Sequence, residues 1–334
     1  MFDPKFTCTN NLINYIAEIS AIRQSILDSK IKPSYDLFLK NTAMINSCHN
    51  STSIEGNPLT IEEVKKLFEG EELNAPIKSK REVLNYFDVL KNLENYETIN
   101  KETILDIHKK ISKDTLKNKE FEGKYRESSV IIGNVLTGEV NFTPPAPYKV
   151  PYLIDEFIDW FNQNQTIYPV ILAGIAHYEL VRIHPFVDGN GRTARAIATL
   201  ILRINGFDIN GYFALDEFYN LNRLDYENAL KSADKSQDLT EWLEYFTYGV
   251  LNSIKKVKRE IDNLPKFTHT IELNEKEIAI LNFINENKEI TNRDVSELFN
   301  VSSQSAYNYL KSLKDKKIIK SIGSGRSIKY VLKI

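Results

Sequence analysis

His184-Pro-Phe-Val-Asp-Gly-Asn-Gly-Arg-Thr-Ala-Arg195 gathers one imidazole, one carboxylate, one amide, two glycines and two guanidiniums into a single short stretch. The apolar run Tyr168–Ile183 before it has the pattern of a buried helix, and Thr193–Ile204 after it is a second helical run. Pro185 ends the first, because its ring disfavours helical geometry in the residue before it. The stretch therefore reads as helix, tight loop, helix. Gly189 and Gly191 permit positive φ and close approach of a ligand to the backbone. The amides around Asn190–Arg192 point out of the start of the second helix, where the macrodipole favours an anion. Arg192 and Arg195, three apart, share one face at that end. This is a polyphosphate site in outline. Asp188 is placed to hold a hard divalent cation bridging phosphate oxygens, and His184 is placed to act as a general base near neutral pH. Taken singly, each residue has an ordinary use: a helix-end histidine, a turn aspartate, two solvated arginines. Their order within one loop is what points to nucleotide chemistry.

HPFVDGNGRTAR matches every fixed position of HxFx(D/E)GNGRxxR and so resembles the signature of the Fic-domain proteins, which transfer AMP from ATP to a hydroxyl side chain of a protein. The resemblance implies that His184 deprotonates the target hydroxyl, that Phe186 anchors the loop and that Asp188 binds Mg2+. It further implies that the Gly189–Gly191 backbone and Asn190 cradle the phosphates, with Arg192 and Arg195 on the β- and γ-phosphates. ATP is then the substrate, and the partner is a Ser, Thr or Tyr hydroxyl on another protein or on this chain itself.

Upstream, Ser51-Thr-Ser-Ile-Glu55-Gly56 ends a helix that starts at Pro33-Ser34. Glycine suits the residue after a helix, and Pro58 prevents continuation. A carboxylate at a helix C-terminus opposes the dipole, so Glu55 is either a surface residue or one held by a cation. The segment resembles the Fic inhibitory motif [S/T]xxxE[G/N]. By that resemblance Ser51 and Glu55 are inhibitory residues, and Glu55 pairs with Arg195, turning the γ-phosphate aside.

The remaining chain reads as mainly helical. Helices are expected over Leu12–Leu27, from a Thr60–Glu63 capping box to Phe68, over Asn74–Asn95, Asn100–Ile111 and Val150–Asn162, and over Leu239–Ile261. Gly123–Pro147 breaks the pattern. Ser129–Ile132 and Glu139–Phe142, joined by turn residues, predict a β-hairpin at about 128–143. It is either a ribbon capping the core or, by resemblance, the Fic flap that pairs with a target segment by strand addition, with Ile131, Ile132 and Val135 as contacts. His177 reads as a hydrogen-bonded core residue. Phe218–Ala233 reads as one helix with Asn222, Tyr226 and Leu230 on a stripe, and the resemblance carries Asn222 and Tyr226 to the adenine and ribose pocket.

After Asp262–Lys266 the pattern changes. Three capped helices followed by a hairpin, Lys317–Ile322 and Ser327–Leu332, resemble a winged helix-turn-helix. From Asn300 to the end, eight Lys or Arg face one Asp, although the whole chain carries −2. That local excess suits phosphate contacts with double-stranded DNA through 267–334, with Ser302, Ser303, Gln304 and Asn308 towards the groove. Winged helices also serve as protein–protein modules, and a homodimer is compatible with this.

The chain has 334 residues, 42% hydrophobic and 26% charged, which is ordinary for a globular protein with a substantial core. Cys8 and Cys48 are far apart and without metal spacing, so no disulfide framework is expected. The start, MFDPKFTCTN, lacks a basic segment leading into an apolar run. A cytoplasmic location without membrane association is expected. The expected architecture is a helical region over 1–110 with the inhibitory helix ending near 55, a Fic-type helical bundle with a flap over 111–262, and the winged helix over 267–334. The expected function is that of a protein adenylyltransferase restrained by Glu55. The alternatives are a DNA-binding regulator whose Fic domain senses nucleotide, and a de-AMPylase in which Glu55 positions a water.

Overall fold

The computed structural model describes residues 2–29, 31, 33–133, 140–264, 273–287, 289–316, 318–323 and 328–332. Among them are fourteen α-helices and four short strands. The N-terminal region contributes α1 (Asn10–Leu27), α2 (Pro33–Ile54), α3 (Ile61–Phe68), α4 (Ile77–Lys91) and α5 (Lys101–Ser112). Thr60 caps α3 with its hydroxyl while Glu63 reaches back to the Thr60 amide, the reciprocal capping box expected from the sequence. A two-stranded ribbon follows, β1 (Ile132–Gly133) antiparallel to β2 (Val140–Phe142). It is shorter than expected, and Val135, like the rest of 134–139, lies outside the described residues.

The centre of the bundle is α7 (Pro169–Ile183), packed between α6 (Val150–Gln163), α8 (Asn190–Ile204) and α11 (Thr240–Asp262). Every residue of α7 from Val170 to Leu180 is buried, as its all-round apolar sequence requires. Gly174 lets α11 approach closely. A Cβ there would lie 2.8 Å from Leu243 Cδ2 and 3.1 Å from Phe246 Cδ1, and the Trp242 indole donates to the Gly174 carbonyl at 2.8 Å. Gly174→Ala should therefore overpack the core, costing about 1–3 kcal/mol. The check is the thermal unfolding midpoint, expected to fall by several degrees; an unchanged midpoint would mean that α11 moves aside freely.

The stretch expected as one helix over Phe218–Ala233 is two. α9 (Leu215–Leu221) and α10 (Arg223–Ser236) meet at Asn222, whose φ −119°, ψ 45° is not helical. The Asn222 amide closes that break by donating to the Phe218 carbonyl at 3.0 Å.

Beyond 264 a second apolar cluster forms from α12 (Glu275–Asn287), α13 (Asn292–Phe299), α14 (Ser303–Asp315), β3 (Ile319–Ile322) and β4 (Lys329–Leu332). The strands pair antiparallel, and Ile290 bridges to Tyr330 beside them. Three helices and a two-stranded wing are the architecture expected from the sequence. The expected start at 267 lies outside the described residues. This unit touches the N-terminal region: Leu37 of α2 packs on its apolar cluster, and the Lys320 ammonium pairs with Glu69 and Glu71 at the end of α3. Among the described residues no helix is long and apolar enough to cross a membrane.

Candidate active site

The site is built where α7 ends and α8 begins. His184 caps α7 in the left-handed region, φ 52°, ψ 59°, a conformation uncommon for a side-chain-bearing residue. Buried Arg126 holds it there. Its guanidinium donates to the carbonyls of His184 (2.7 Å), Ser128 (3.2 Å) and Pro145, and its backbone N–H donates to Pro185 O at 2.8 Å. One side chain thus ties the base of the ribbon to the histidine. His184 Nδ1 lies 3.3 Å from the Val181 carbonyl. A carbonyl can only accept, so Nδ1 carries the proton and Nε2 is left as the basic nitrogen. Burial pushes the imidazole down to about 4, so it is neutral and able to accept a proton at pH 7.

Phe186 is fully buried and lies flat on the His108 ring, centroids 3.6 Å apart. The Gly123 amide donates to His108 Nδ1 at 3.0 Å. Nε2 therefore carries the proton and donates to the Asp188 carbonyl at 3.0 Å. His108 fixes the loop from beneath, and the sequence reading passed over it. The available signal was a polar residue on the apolar face of α5, between Ile104, Ile107 and Ile111.

Asn190 departs from its expected role. Its side chain accepts from the Phe186 amide at 2.8 Å and donates to the Phe186 carbonyl at 2.9 Å. It shapes the loop by bracing the backbone N–H and C=O of Phe186. Gly189 adopts φ 80°, the left-handed turn that starts α8 at Asn190, one turn earlier than the apolar pattern implied.

The two arginines differ. Arg192 is 2% exposed. Its Nη2 donates to Asp188 Oδ1 at 3.2 Å, while Nε and Nη1 have no hydrogen-bond partner among the described residues. Glu82 Oε1 stands 3.8 Å from Nη1 as an ion-pair partner, so the guanidinium is neutralised by Asp188 and Glu82 but keeps donors free of hydrogen bonds. Arg195, also buried, has both its Nε and its Nη2 engaged. Its Nε donates to Ser51 Oγ and its Nη2 to Ser51 O and Glu55 Oε1, each at 2.8 Å. Asp216 Oδ1 stands 3.4 Å from the Nε. Burial alone would raise the Glu55 carboxyl, but Arg195 and Arg192 outweigh it and hold it below the usual carboxylate range. Asp216 is the reverse case: burial raises it, and Arg195 offsets this only in part. The Glu55 carboxylate also covers Gly191, where an added Cβ would lie 2.2 Å from Oε1.

His184, Glu55 and Arg195 open on a cavity of about 300 Å³, whose lining does not include Arg192 or Asp188. His184, Gly191, Arg195 and Glu55 line one part, Tyr226, Leu230 and Asp234 of α10 another, and Gly133 and Phe142 of the ribbon the rim. Tyr226 lines the cavity; its hydroxyl bonds His177 Nε2 at 2.9 Å, so His177 is a bonded core residue. Asn222, at the helix break, is not among the lining residues. Ile131 is exposed beside β1. Ile132 lies on β1.

Asp188 is the only acid of the loop, and its side chain is 44% exposed. Among the described residues no three His, Cys, Asp or Glu gather as a metal cage. One exposed carboxylate suits Mg2+, which keeps waters and takes its other ligands from substrate phosphates.

Residues 98–202 match the Fic/DOC family model, and residues 273–320 match a winged helix-turn-helix DNA-binding model. The protein adenylyltransferase fic-1 of Caenorhabditis elegans is 31% identical over 171 residues, 48% of this chain and 32% of that protein. The protein adenylyltransferase Fic of Nematostella vectensis is 31% identical over 175 residues, 49% of this chain and 39% of that protein. The chain thus spans about a third of the length of the curated relatives it matches. A Fic family protein from Desulfovibrio desulfuricans G20 shares the fold over 99% of this chain and 98% of its own, with TM-score 0.71 and 24% identity. A Fic domain containing signaling protein from Bacteroides thetaiotaomicron VPI-5482 does so over 78% of this chain and 99% of its own, TM-score 0.62, 24% identity. With the signature loop, the helical frame and these matches together, the chain carries a Fic/DOC-family domain over residues 98–202 followed by a winged helix-turn-helix at 273–320.

Proposed function

We propose that this protein is an adenylyltransferase that moves AMP from ATP to a protein hydroxyl and is restrained by its own Glu55. The observation that carries the reading is Arg192, a buried guanidinium at the N-terminus of α8 whose Nε and Nη1 make no hydrogen bond among the described residues, Nη1 standing only at ion-pair distance, 3.8 Å, from Glu82 Oε1, together with a neutral His184. His184 Nε2 takes the proton of the target hydroxyl as its oxygen bonds to the α-phosphorus. The bond from that phosphorus to the bridging oxygen breaks, and pyrophosphate leaves. Arg192 and the open amides of α8 hold the polyphosphate and orient it. Mg2+, bound through Asp188, would neutralise phosphate charge. Glu55 occupies the Arg195 Nη2 donor and the space over Gly191, so a γ-phosphate meets a carboxylate there instead of a cation. The exposed ribbon edge near Ile131 is the surface offered to the target chain. Label from α-phosphate-labelled ATP should appear on protein, on this chain or on a target from lysate. Absence of label from the wild type and from a Glu55 variant would overturn the transfer reading.

The C-terminal unit supports a second partner, duplex DNA. Ser303, Gln304, Asn308 and Lys311 are exposed on α14, with Asn300–Ile334 rich in lysine. Affinity of the full chain for a duplex should fall as salt rises, and Lys311→Ala should reduce the slope of log K against log salt by about 0.9. A salt-independent affinity, or none at low salt, points instead to a protein-binding module.

A further inference from the structure

α3 runs out into acid, Glu69-Gly-Glu-Glu72, at the end of a helix where the dipole disfavours carboxylates. Gly70 makes the turn there. Its φ of 76° lets its amide donate to the Leu67 carbonyl at 3.1 Å and the Glu71 amide donate to the Lys66 carbonyl at 2.9 Å. These paired bonds fold the chain back over the helix end. The carboxylates of Glu69 and Glu71 thereby meet on one cation, Lys320 of β3. Its ammonium donates to Glu69 and, at 2.9 Å, to Glu71 Oε1. The bond from Lys320 is the main reason that the Glu71 carboxyl is held below its usual range. Burial works against the charge on Lys320, but Glu69 and Glu71 outweigh it and hold the ammonium above its ordinary value.

The other lysines of the C-terminal unit find acids at home. Lys316 pairs with Glu277 at 2.7 Å and Lys329 with Glu289 at 2.5 Å, both inside the unit. The acids on Lys320 come from outside it. Docking of the unit on the N-terminal region therefore rests on this charge contact together with Leu37, half-buried on the apolar cluster.

We propose that Glu69 and Glu71 are an internal stand-in for duplex phosphate: they occupy the wing's Lys320 in the docked chain, and duplex DNA has to displace them to use it. This rests on the duplex-DNA reading above. To an ammonium, a carboxylate and a phosphate oxygen are alike, since each accepts a charge-assisted hydrogen bond. The two cannot share Lys320 well, because carboxylates beside it repel an incoming phosphate. Docking and duplex binding are then competing states of one chain. By reciprocity, a bound duplex weakens the contact with α3 by the same factor that the acids weaken the duplex.

The test is binding of the full chain to a short random-sequence duplex across a range of salt. Glu69→Gln/Glu71→Gln keeps the shape of both side chains and removes their charge. It should bind the duplex about fivefold or more tightly than the wild type at low salt, the worth of a partly exposed ion pair. Adding Lys320→Ala to that variant should reverse the gain and reduce the slope of log K against log salt by about 0.9, one phosphate contact. In the wild type, Lys320→Ala should move affinity by less than about threefold, because it removes the phosphate contact and its competitor together. Unchanged affinity in Glu69→Gln/Glu71→Gln overturns the inference and leaves the DNA reading standing. So does a gain that Lys320→Ala does not reverse, since the acids then repel DNA by net charge alone, and so does the same loss from Lys320→Ala in both backgrounds. No duplex bound by any of these chains at low salt overturns the DNA reading, and this inference with it.

Discussion

Glu55→Gly should raise transfer by about tenfold or more. The carboxylate bonds Arg195 Nη2 at 2.8 Å while its own side chain is 36% exposed. A hydrogen bond between charged groups is worth about 1.5–3 kcal/mol when well made, and partial exposure screens it towards the lower figure. Each 1.4 kcal/mol returned to productive nucleotide binding is about tenfold. The substitution also empties the space over Gly191. The fold should survive. Arg195 keeps Ser51 Oγ, Ser51 O and Asp216 as partners, so no buried guanidinium is left bare. Glu55 itself sits past the last residue of α2 and before Gly56, where a second glycine costs little. Asp216 is what makes Glu55 expendable: one acid on Arg195 is permanent and buried, the other is displaceable. The comparison is ATP affinity and label transfer in wild type, Glu55→Gly and Glu55→Gln, alongside the thermal midpoint. Gln keeps the shape and loses the charge, so it should fall between the two. The restraining role would be falsified if both affinity and labelling were unchanged in Glu55→Gly.

His184→Ala should abolish transfer and leave ATP binding within about threefold. A positioned general base contributes about 10²- to 10⁴-fold, and in a Glu55→Gly background that loss is large enough to measure. Binding is spared because the polyphosphate is held by Arg192 and the amides of α8, none of which His184 touches. The backbone is spared because Arg126 grips the His184 carbonyl from the other side. The pH profile follows from the same burial. Burial lowers the folded imidazole to about 4, from about 6.5 in the unfolded chain. His184 therefore stays neutral as pH falls through 6.5, and activity in Glu55→Gly should hold down to about pH 5.5 before declining. The stability tied to this lowering is present above pH 6.5 and is lost as pH falls towards 4. Retained transfer in His184→Ala would remove the general-base role, and a half-loss of activity near pH 6.5 would show that the occupied site no longer shields the ring.

Sequence alone placed the groups of the loop, because they are contiguous. A helix end, two glycines, a helix start and the arginines at fixed spacing interact within a few residues of one another, so order determines geometry. The same holds for the capping box at Thr60–Glu63, for the amphipathic helices, and for the three helices and wing at the end of the chain. Glu55 stands at a helix C-terminus where a carboxylate has no local partner, whereas Ser51 is marked only by the resemblance to the inhibitory motif. What tertiary structure decided is everything that reaches the loop from far along the chain. Arg126 on the His184 carbonyl, His108 under Phe186, Asp216 behind Arg195 and Asp234 at the end of the cavity all come from other helices or connections. No period or spacing encodes such contacts, since they depend on how whole helices pack. Asn222 shows the same limit in reverse. Apolar periodicity runs through it, but the helix breaks there to fit α9 against α2 and α10 against α11. That break carries Asn222 off the stripe and leaves Tyr226, Leu230 and Asp234 to face the cavity.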